Sequence, residues 1–152
     1  MTVKGRFTLD TNILIYAIDR NAGHKHDYSR KLLTQAALCD CVMTTQTFSE
    51  FFYTTTRKNL MDISRSANLI NNWLEVFETV SATDAALREA IDTVKNHQLS
   101  FWDAMLMVTA RQSGCSALLS EDLQDGWRLH GMEIINPFAQ DASTRINHLM
   151  TM

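Results

Sequence analysis

The chain has 152 residues, 45% of them apolar and 20% charged, the proportions of an ordinary globular sequence and not of a disordered one. Its formal net charge of −3 excludes a bulk basic footprint, so any nucleic-acid contact has to be local. No run approaches the roughly 20 apolar residues of a membrane span, and an odd count of three cysteines excludes a full disulfide framework.

The opening stretch, MTVKGRFTLD, lacks the apolar core of a secretory leader, and the expected location is the cytoplasm. Cys39, Cys41 and Cys115 then read as free thiols, since Cys39 and Cys41 have the wrong spacing for a zinc knuckle. With no repeat, linker or low-complexity run, residues 1–152 read as a single domain, with a core over about 6–138 and a tail over 139–152.

In chain order, Phe7 and Leu9 mark a short strand that stops at Asp10-Thr11-Asn12. These are good helix N-cap types, and Ile13 to Ile18 supply the helix. A second helix carries Tyr28, Leu32, Leu33 and Ala36. A strand over 41–44 leads into a helix over 45–58. The next helix follows Ser64, with Ala67, Ile70 and Leu74 on one face. A strand over 76–80 precedes a helix bearing Leu87, Ala90, Ile91 and Val94. Ser100 begins a strongly apolar helix through Ala110. A strand over 116–119 ends at Ser120-Glu121-Asp122, and one over 133–135 ends at Asn136-Pro137. Strands alternating with helices predict an α/β fold with a parallel sheet covered on both faces. Beyond Phe138 the helical signal is weak, and the tail is expected to fray.

Four acids stand out, each with an ordinary explanation beside the functional one. Asp10 and Asp122 follow predicted strands, where ligands of open α/β sheets collect, yet one suits a helix cap and the other a loop. Glu50 lies among Gln46, Thr47, Tyr53 and Thr54 on the polar side of its helix, as a solvated glutamate would. Asp103 belongs to an otherwise apolar helix, where a carboxylate needs compensation. Its Ser100-x-x-Asp103 spacing also fits an N-terminal capping pattern.

Jointly the four can converge on one pocket. Oxygen-only ligands suit hard cations such as Mg²⁺ or Mn²⁺ better than zinc. Carboxylates about 5 Å apart repel by roughly 3 kcal/mol at an effective dielectric near 20, so a cluster needs metal, retained protons or donors. A cation so held can activate water and bind a phosphate oxygen, the requirements of phosphodiester hydrolysis.

These residues resemble the PIN-domain nucleases, most closely the VapC-type toxins of bacterial toxin–antitoxin pairs. The matching stretches are Asp10-Thr11-Asn12, Ser49-Glu50, Phe101-Trp102-Asp103-Ala104, the run from Leu119 to Gly126, and Ile134-Ile135-Asn136-Pro137-Phe138. Within them Asp122 fits the family position better than Asp125. The resemblance implies a PIN-like α/β fold, a five-stranded parallel sheet with helices on both faces. It implies a Mg²⁺- or Mn²⁺-dependent endoribonuclease, a homodimer held inactive by a cognate antitoxin protein. Asp10, Glu50, Asp103 and Asp122 become catalytic metal ligands, with Asn12 and Ser120 orienting water or carboxylate. Cleavage by a metal-activated water leaves a 5′-phosphate and a 3′-hydroxyl.

Other readings rank lower. His24, His26, His97, His130 and His148 are scattered as surface residues are. Arg57, Lys58, Arg111 and Arg128 could meet RNA phosphates, though each also suits a solvated face. Phe48, Phe51, Phe52 and Tyr53 read as core or dimer interface before base-stacking platform. A phosphatase using Asp10 as nucleophile wants an aspartate two residues on, where Asn12 stands. A non-catalytic or housekeeping PIN-fold RNA-binding or interaction protein is the main alternative.

Overall fold

A computed structural model describes residues 5–150; the first four residues and the last two, the ends of the 1–152 domain and of the 139–152 tail, lie outside the described residues. The strands are β1 (Phe7–Leu9), β2 (Val42–Thr44), β3 (Glu78–Val80), β4 (Ala117–Leu119), β5 (Arg128–Leu129) and β6 (Met132–Ile135). The helices are α1 (Thr11–Ile18), α2 (His24–Ala36), α3 (Thr45–Arg57), α4 (Ile63–Val76), α5 (Asp84–Asn96), α6 (Phe101–Gln112) and α7 (Ala142–Met150), with a 3₁₀ turn at Arg20–Ala22. None of these helices is long and apolar enough to cross a membrane.

β1 pairs with β4 and β4 with β6, all parallel, while β2 pairs parallel with β3. One isolated parallel bridge between Phe7 and Cys41 links the two sheets, so the α/β class is as expected, while the strands divide between a four-stranded and a two-stranded sheet in place of one five-stranded sheet. β5 is an addition, an antiparallel edge strand on β6. Its hairpin turns at His130 and Gly131 with φ of 49° and 89°. A two-residue type I′ turn needs positive φ at both positions. Two residues of strand are too few to register as alternation in the sequence.

Strand residues alternate between two cores. Phe7, Leu9, Met43, Leu119 and Ile135 join buried residues of α1, α2, α3, α4 and α7. Val42, Leu118 and Ile134 face the other way, onto α5 and α6. Such double coverage explains why β1, β2 and β4 are buried at every position. The predicted burial of α6 holds over Ala104–Ala110.

Two helices are rotated from the reading of their apolar faces. α4 turns Trp73, not Leu74, inward, and Leu74 is 45% exposed. The indole stacks on Phe48 at 5.8 Å and meets Phe51 edge-on at 4.8 Å, a larger burial than leucine offers. α5 buries Ala86, Ala90 and Thr93, leaving Leu87 and Ile91 exposed, because small residues let it lie close against α6.

The tail expectation is corrected. Residues 142–150 form α7, which buries Ala142, Ile146 and Leu149 at helical spacing. Arg145 pins it through ion pairs to Asp125 and Glu133. A weak intrinsic helical signal is overridden by tertiary packing.

Candidate active site

Asp10 stands immediately past β1 and N-caps α1, its Oδ1 accepting the Thr11 N–H at 2.7 Å. Its Oδ2 accepts the Ser120 hydroxyl at 2.7 Å, and that hydroxyl oxygen accepts the Asp122 N–H at 3.2 Å. Neighbouring parallel strands β1 and β4 therefore deliver Asp10 and Ser120 side by side from positions 110 residues apart. The cap explanation and a site role coexist in one side chain.

Glu50 projects from α3 on the side that faces α1. Its Oε2 accepts the Thr11 hydroxyl at 2.9 Å and its Oε1 the Gln46 amide at 3.1 Å. The same Gln46 amide donates to the Trp102 carbonyl at 2.9 Å, tying α3 to the start of α6. Asn12 Nδ2 donates to Asp122 at 3.1 Å, while Asn12 Oδ1 is buried without a hydrogen-bond partner. Thr11, Asn12 and Ser120 thus link Asp10, Glu50 and Asp122 into one web.

The electrostatics single out Asp10, which is 6% exposed. Burial pushes its carboxyl up from 3.8 to about 6; Ser120 and Thr11 pull the other way, and the charges of Glu50 and Asp122 add to the rise. Among the described residues none of Asp10, Glu50, Asp103 and Asp122 forms an ion pair. Glu121, next to Asp122, is the contrast. Burial would raise its carboxyl, but hydrogen bonds from Lys25 and Tyr16 outweigh it and hold the group below its ordinary range.

Asp103 stands apart from this web. It lies in the first turn of α6, half-buried, and its N–H donates to the Ser100 hydroxyl at 3.1 Å, as the capping pattern expects. Its neighbour Trp102 lines the cleft, and among the described residues Asp103 makes no hydrogen bond to the other acids' side chains.

That cleft, about 1010 Å³, is lined by α1, α3 and α6 together with Asp122. Asn12, Glu50, Tyr53, Lys58, Trp102 and Asp122 are among its walls. Of the aromatic cluster, Phe48 and Phe51 are core, while Phe52 and Tyr53 are exposed, Tyr53 by 59%. Of the basic candidates, Arg111 pairs with Glu89 and Arg128 with Glu133, Arg57 donates to the Tyr53 hydroxyl, and Lys58 lines the cleft. Asp125 binds Arg145 and the Asn136 N–H, a structural tie.

The residues missed in the sequence are Thr11 and Gln46, which hold Glu50. Gln46 carries a local signal, since it precedes Glu50 by one helical turn. Thr11 carries none, because its partner is 39 residues away.

No curated protein matches the chain. Among solved structures it is similar to VapC20 of Mycobacterium tuberculosis, a sarcin–ricin loop cleaving toxin, with TM-score 0.62 and 18% identity over 76% of this chain and 91% of that one. It is similar to a toxin–antitoxin complex from Klebsiella pneumoniae, with TM-score 0.61 and 19% identity over 86% and 97%. A DNA-bound VapBC from Salmonella typhimurium follows at TM-score 0.62 and 16% identity over 88% and 97%. At such identities these likenesses establish the fold. The PIN-domain family model matches residues 7–124, a span holding Asp10, Asn12, Glu50, Asp103, Ser120 and Asp122. With Glu50 and Asp122 lining one cleft and Asp10 joined to them through Thr11 and Ser120, and with the family model spanning these residues, the chain belongs to the PIN-domain family.

Proposed function

We propose that this protein is an endoribonuclease that uses Mg²⁺ or Mn²⁺, and the toxin of a type II toxin–antitoxin pair. The observation that carries the reading is Asp10, buried at a strand end, its carboxyl raised by burial and by the charges of Glu50 and Asp122, with no cationic side chain paired to it among the described residues. Buried carboxylates are normally paired, and one that is not suits a ligand that brings positive charge.

The donor set fits a hard divalent ion. All candidate ligands are oxygens, and the buried Asn12 Oδ1 adds an acceptor in need of a partner. Among the described residues no group of three or more His, Cys, Asp or Glu forms a ready cage. Mg²⁺ does not need one, since it commonly takes one or two carboxylates and keeps several waters. Asp10, Glu50 and Asp122 would hold it, with Asp103 next to the cleft-lining Trp102.

A divalent ion bound there would supply acidification of water and neutralisation of phosphate charge. The chain's own residues do the positioning. Ser120 and the Thr11 N–H fix the two Asp10 oxygens, Thr11 and Gln46 fix Glu50, and Asn12 fixes Asp122. Each carboxylate enters the reaction with its orientation already set, which lowers the entropic part of the barrier. In-line attack of water on phosphorus leaves a 5′-phosphate and a 3′-hydroxyl.

The likeness to toxin–antitoxin complexes supports a toxin role with a cognate antitoxin; a cytoplasmic location and a homodimer belong to the same proposal. The test is cleavage of RNA by the purified protein with Mg²⁺ or Mn²⁺ and with excess EDTA, beside growth after induced expression. Metal-dependent cutting and an arrest abolished by Asp10→Asn are expected. Cutting that survives EDTA overturns the metal role, and an arrest indifferent to Asp10→Asn overturns the toxin role.

A further inference from the structure

Three large aromatic side chains line the cleft; Tyr16 donates to Glu121, while Tyr53 and Trp102 make no hydrogen bond to a carboxylate among the described residues. Trp102 is 62% exposed and Tyr53 59% exposed, and both line the cleft with Glu50. Leaving an indole and a phenol in water forgoes the burial that drives such residues inward. Neither ring is loose. Trp102 packs edge-on against Phe101 at 5.0 Å, and its carbonyl is held by the Gln46 amide that also holds Glu50. Tyr53 accepts a hydrogen bond from Arg57 at 2.6 Å, with the guanidinium 5.5 Å from its ring centre.

The order along α3 is informative. Glu50 comes first, Tyr53 one turn later, and Lys58 two turns later at the helix end. Lys58 is the one basic residue among the described residues lining the cleft. Acids, exposed aromatic rings and a single cation therefore follow one another along one groove. A purely apolar partner would leave Lys58 and the acids without counterparts. A rigid duplex keeps its bases stacked on one another, with no ring face to offer. A single strand presents both an anionic backbone and free base faces.

We propose that Trp102 and Tyr53 are stacking platforms for unpaired nucleobases beside the bond to be cut, and that Lys58 takes a phosphate of the same strand. This rests on the nuclease reading and narrows its substrate to RNA that is unpaired at the cut. The aromatic pair binds the strand; the acids act on it.

The experiment uses tryptophan emission of the full-length Asp10→Asn protein, which holds RNA without cutting it. It is titrated with a short unstructured oligoribonucleotide and with the same strand in a duplex. The single strand is expected to quench emission saturably and the duplex to do so far less. Trp102→Leu should lose most of the quench and bind about 5- to 100-fold more weakly, the range one base–aromatic stack commands. Trp102→Phe should restore binding, and Lys58→Gln should lower the salt dependence of affinity. In the otherwise wild-type enzyme Trp102→Leu should raise KM more than it lowers kcat. Thermal melting of each variant checks that the fold is intact.

Unchanged binding and quench in Trp102→Leu, or equal binding of the duplex, overturns the proposal. If the wild type cuts the strand and Trp102→Leu cuts it equally well, the platform falls and the nuclease stands. If the strand binds and quenches through Trp102 but is never cut with Mg²⁺ or Mn²⁺, the nuclease falls and the platform stands.

Discussion

The two ends of the parallel sheet treat negative charge in opposite ways. At the amino end Arg6, just before β1, reaches Asp40 at 3.3 Å and Glu78 at 3.1 Å, and donates to the Ser113 carbonyl. At the carboxyl end Asp10, just past the same strand, is buried deeper than either acid and meets only neutral donors and two further acids. One three-residue strand thus separates acids answered by arginine from an acid answered only by neutral donors. The first arrangement is complete and stabilises the fold. The second leaves room for the divalent ion of the proposed nuclease, and on that proposal stability and function are divided between the two ends.

Asp10→Asn is the strongest way to break that contrast. Cleavage should fall by at least about 100-fold, as expected when a positioned charge is removed from an active site. Stability should move the other way. Because folding raises the Asp10 carboxyl from 3.8 to about 6, the folded state holds its proton more tightly than the unfolded one. The favourable contribution is full below about pH 3.8 and is lost as pH rises through about 6. Above that, ionised Asp10 costs roughly 3 kcal/mol for a shift of about two units. Metal-free Asp10→Asn should therefore be more stable than wild type at pH 8, by about 1–3 kcal/mol after the altered Ser120 contact is discounted. The gain should vanish near pH 4. Melting curves at the two pH values, with a cleavage assay, check this. A mutant less stable at pH 8 would mean that the acid is already compensated.

Arg145→Ala tests the answered acids. The guanidinium is 21% exposed and holds Asp125, Glu133 and the Ile134 carbonyl to α7. Its loss should destabilise by about 1–2 kcal/mol, with Asp125 left only the Asn136 N–H and Glu133 only Arg128. Cleavage by the folded fraction should be unchanged. Urea unfolding measures the effect, and no loss would show that the apolar face of α7 suffices.

Asp103→Asn sharpens the boundary of the site. As a first-turn acid of α6 with no link to the web, it should destabilise the metal-free protein by only about 0.3–1 kcal/mol. A stabilisation like that of Asp10→Asn would instead place Asp103 inside the repelling cluster. The same melting curves decide, and their response to Mg²⁺ shows whether Asp103 helps to hold the ion.

Much of this architecture was legible residue by residue. The Asp10 cap, the Ser100 cap before Asp103, the Thr44 to α3 junction and the fully apolar α6 are local features, readable within a few positions. Five of the six strands were legible as short apolar runs bounded by turn or cap residues. β5 was not, because two residues carry no period, and α7 was not, because its stability comes from Arg145 and from burial against distant strands.

The sequence by itself determined the element types, the α/β class and the identity of the acids, because caps, periodicity and hydrophobic runs act over a turn or two of chain. Only the tertiary structure decided which of those acids share a web. Asp10 meets Ser120, and Asn12 meets Asp122, across 110 residues, through the parallel pairing of β1 with β4. It also decided the rotation of α4, where Trp73 displaces Leu74 from the core, and the exposure of Tyr53 and Trp102 beside Glu50. Helix rotation and side-chain convergence depend on shape complementarity between segments far apart in sequence, which no local pattern encodes.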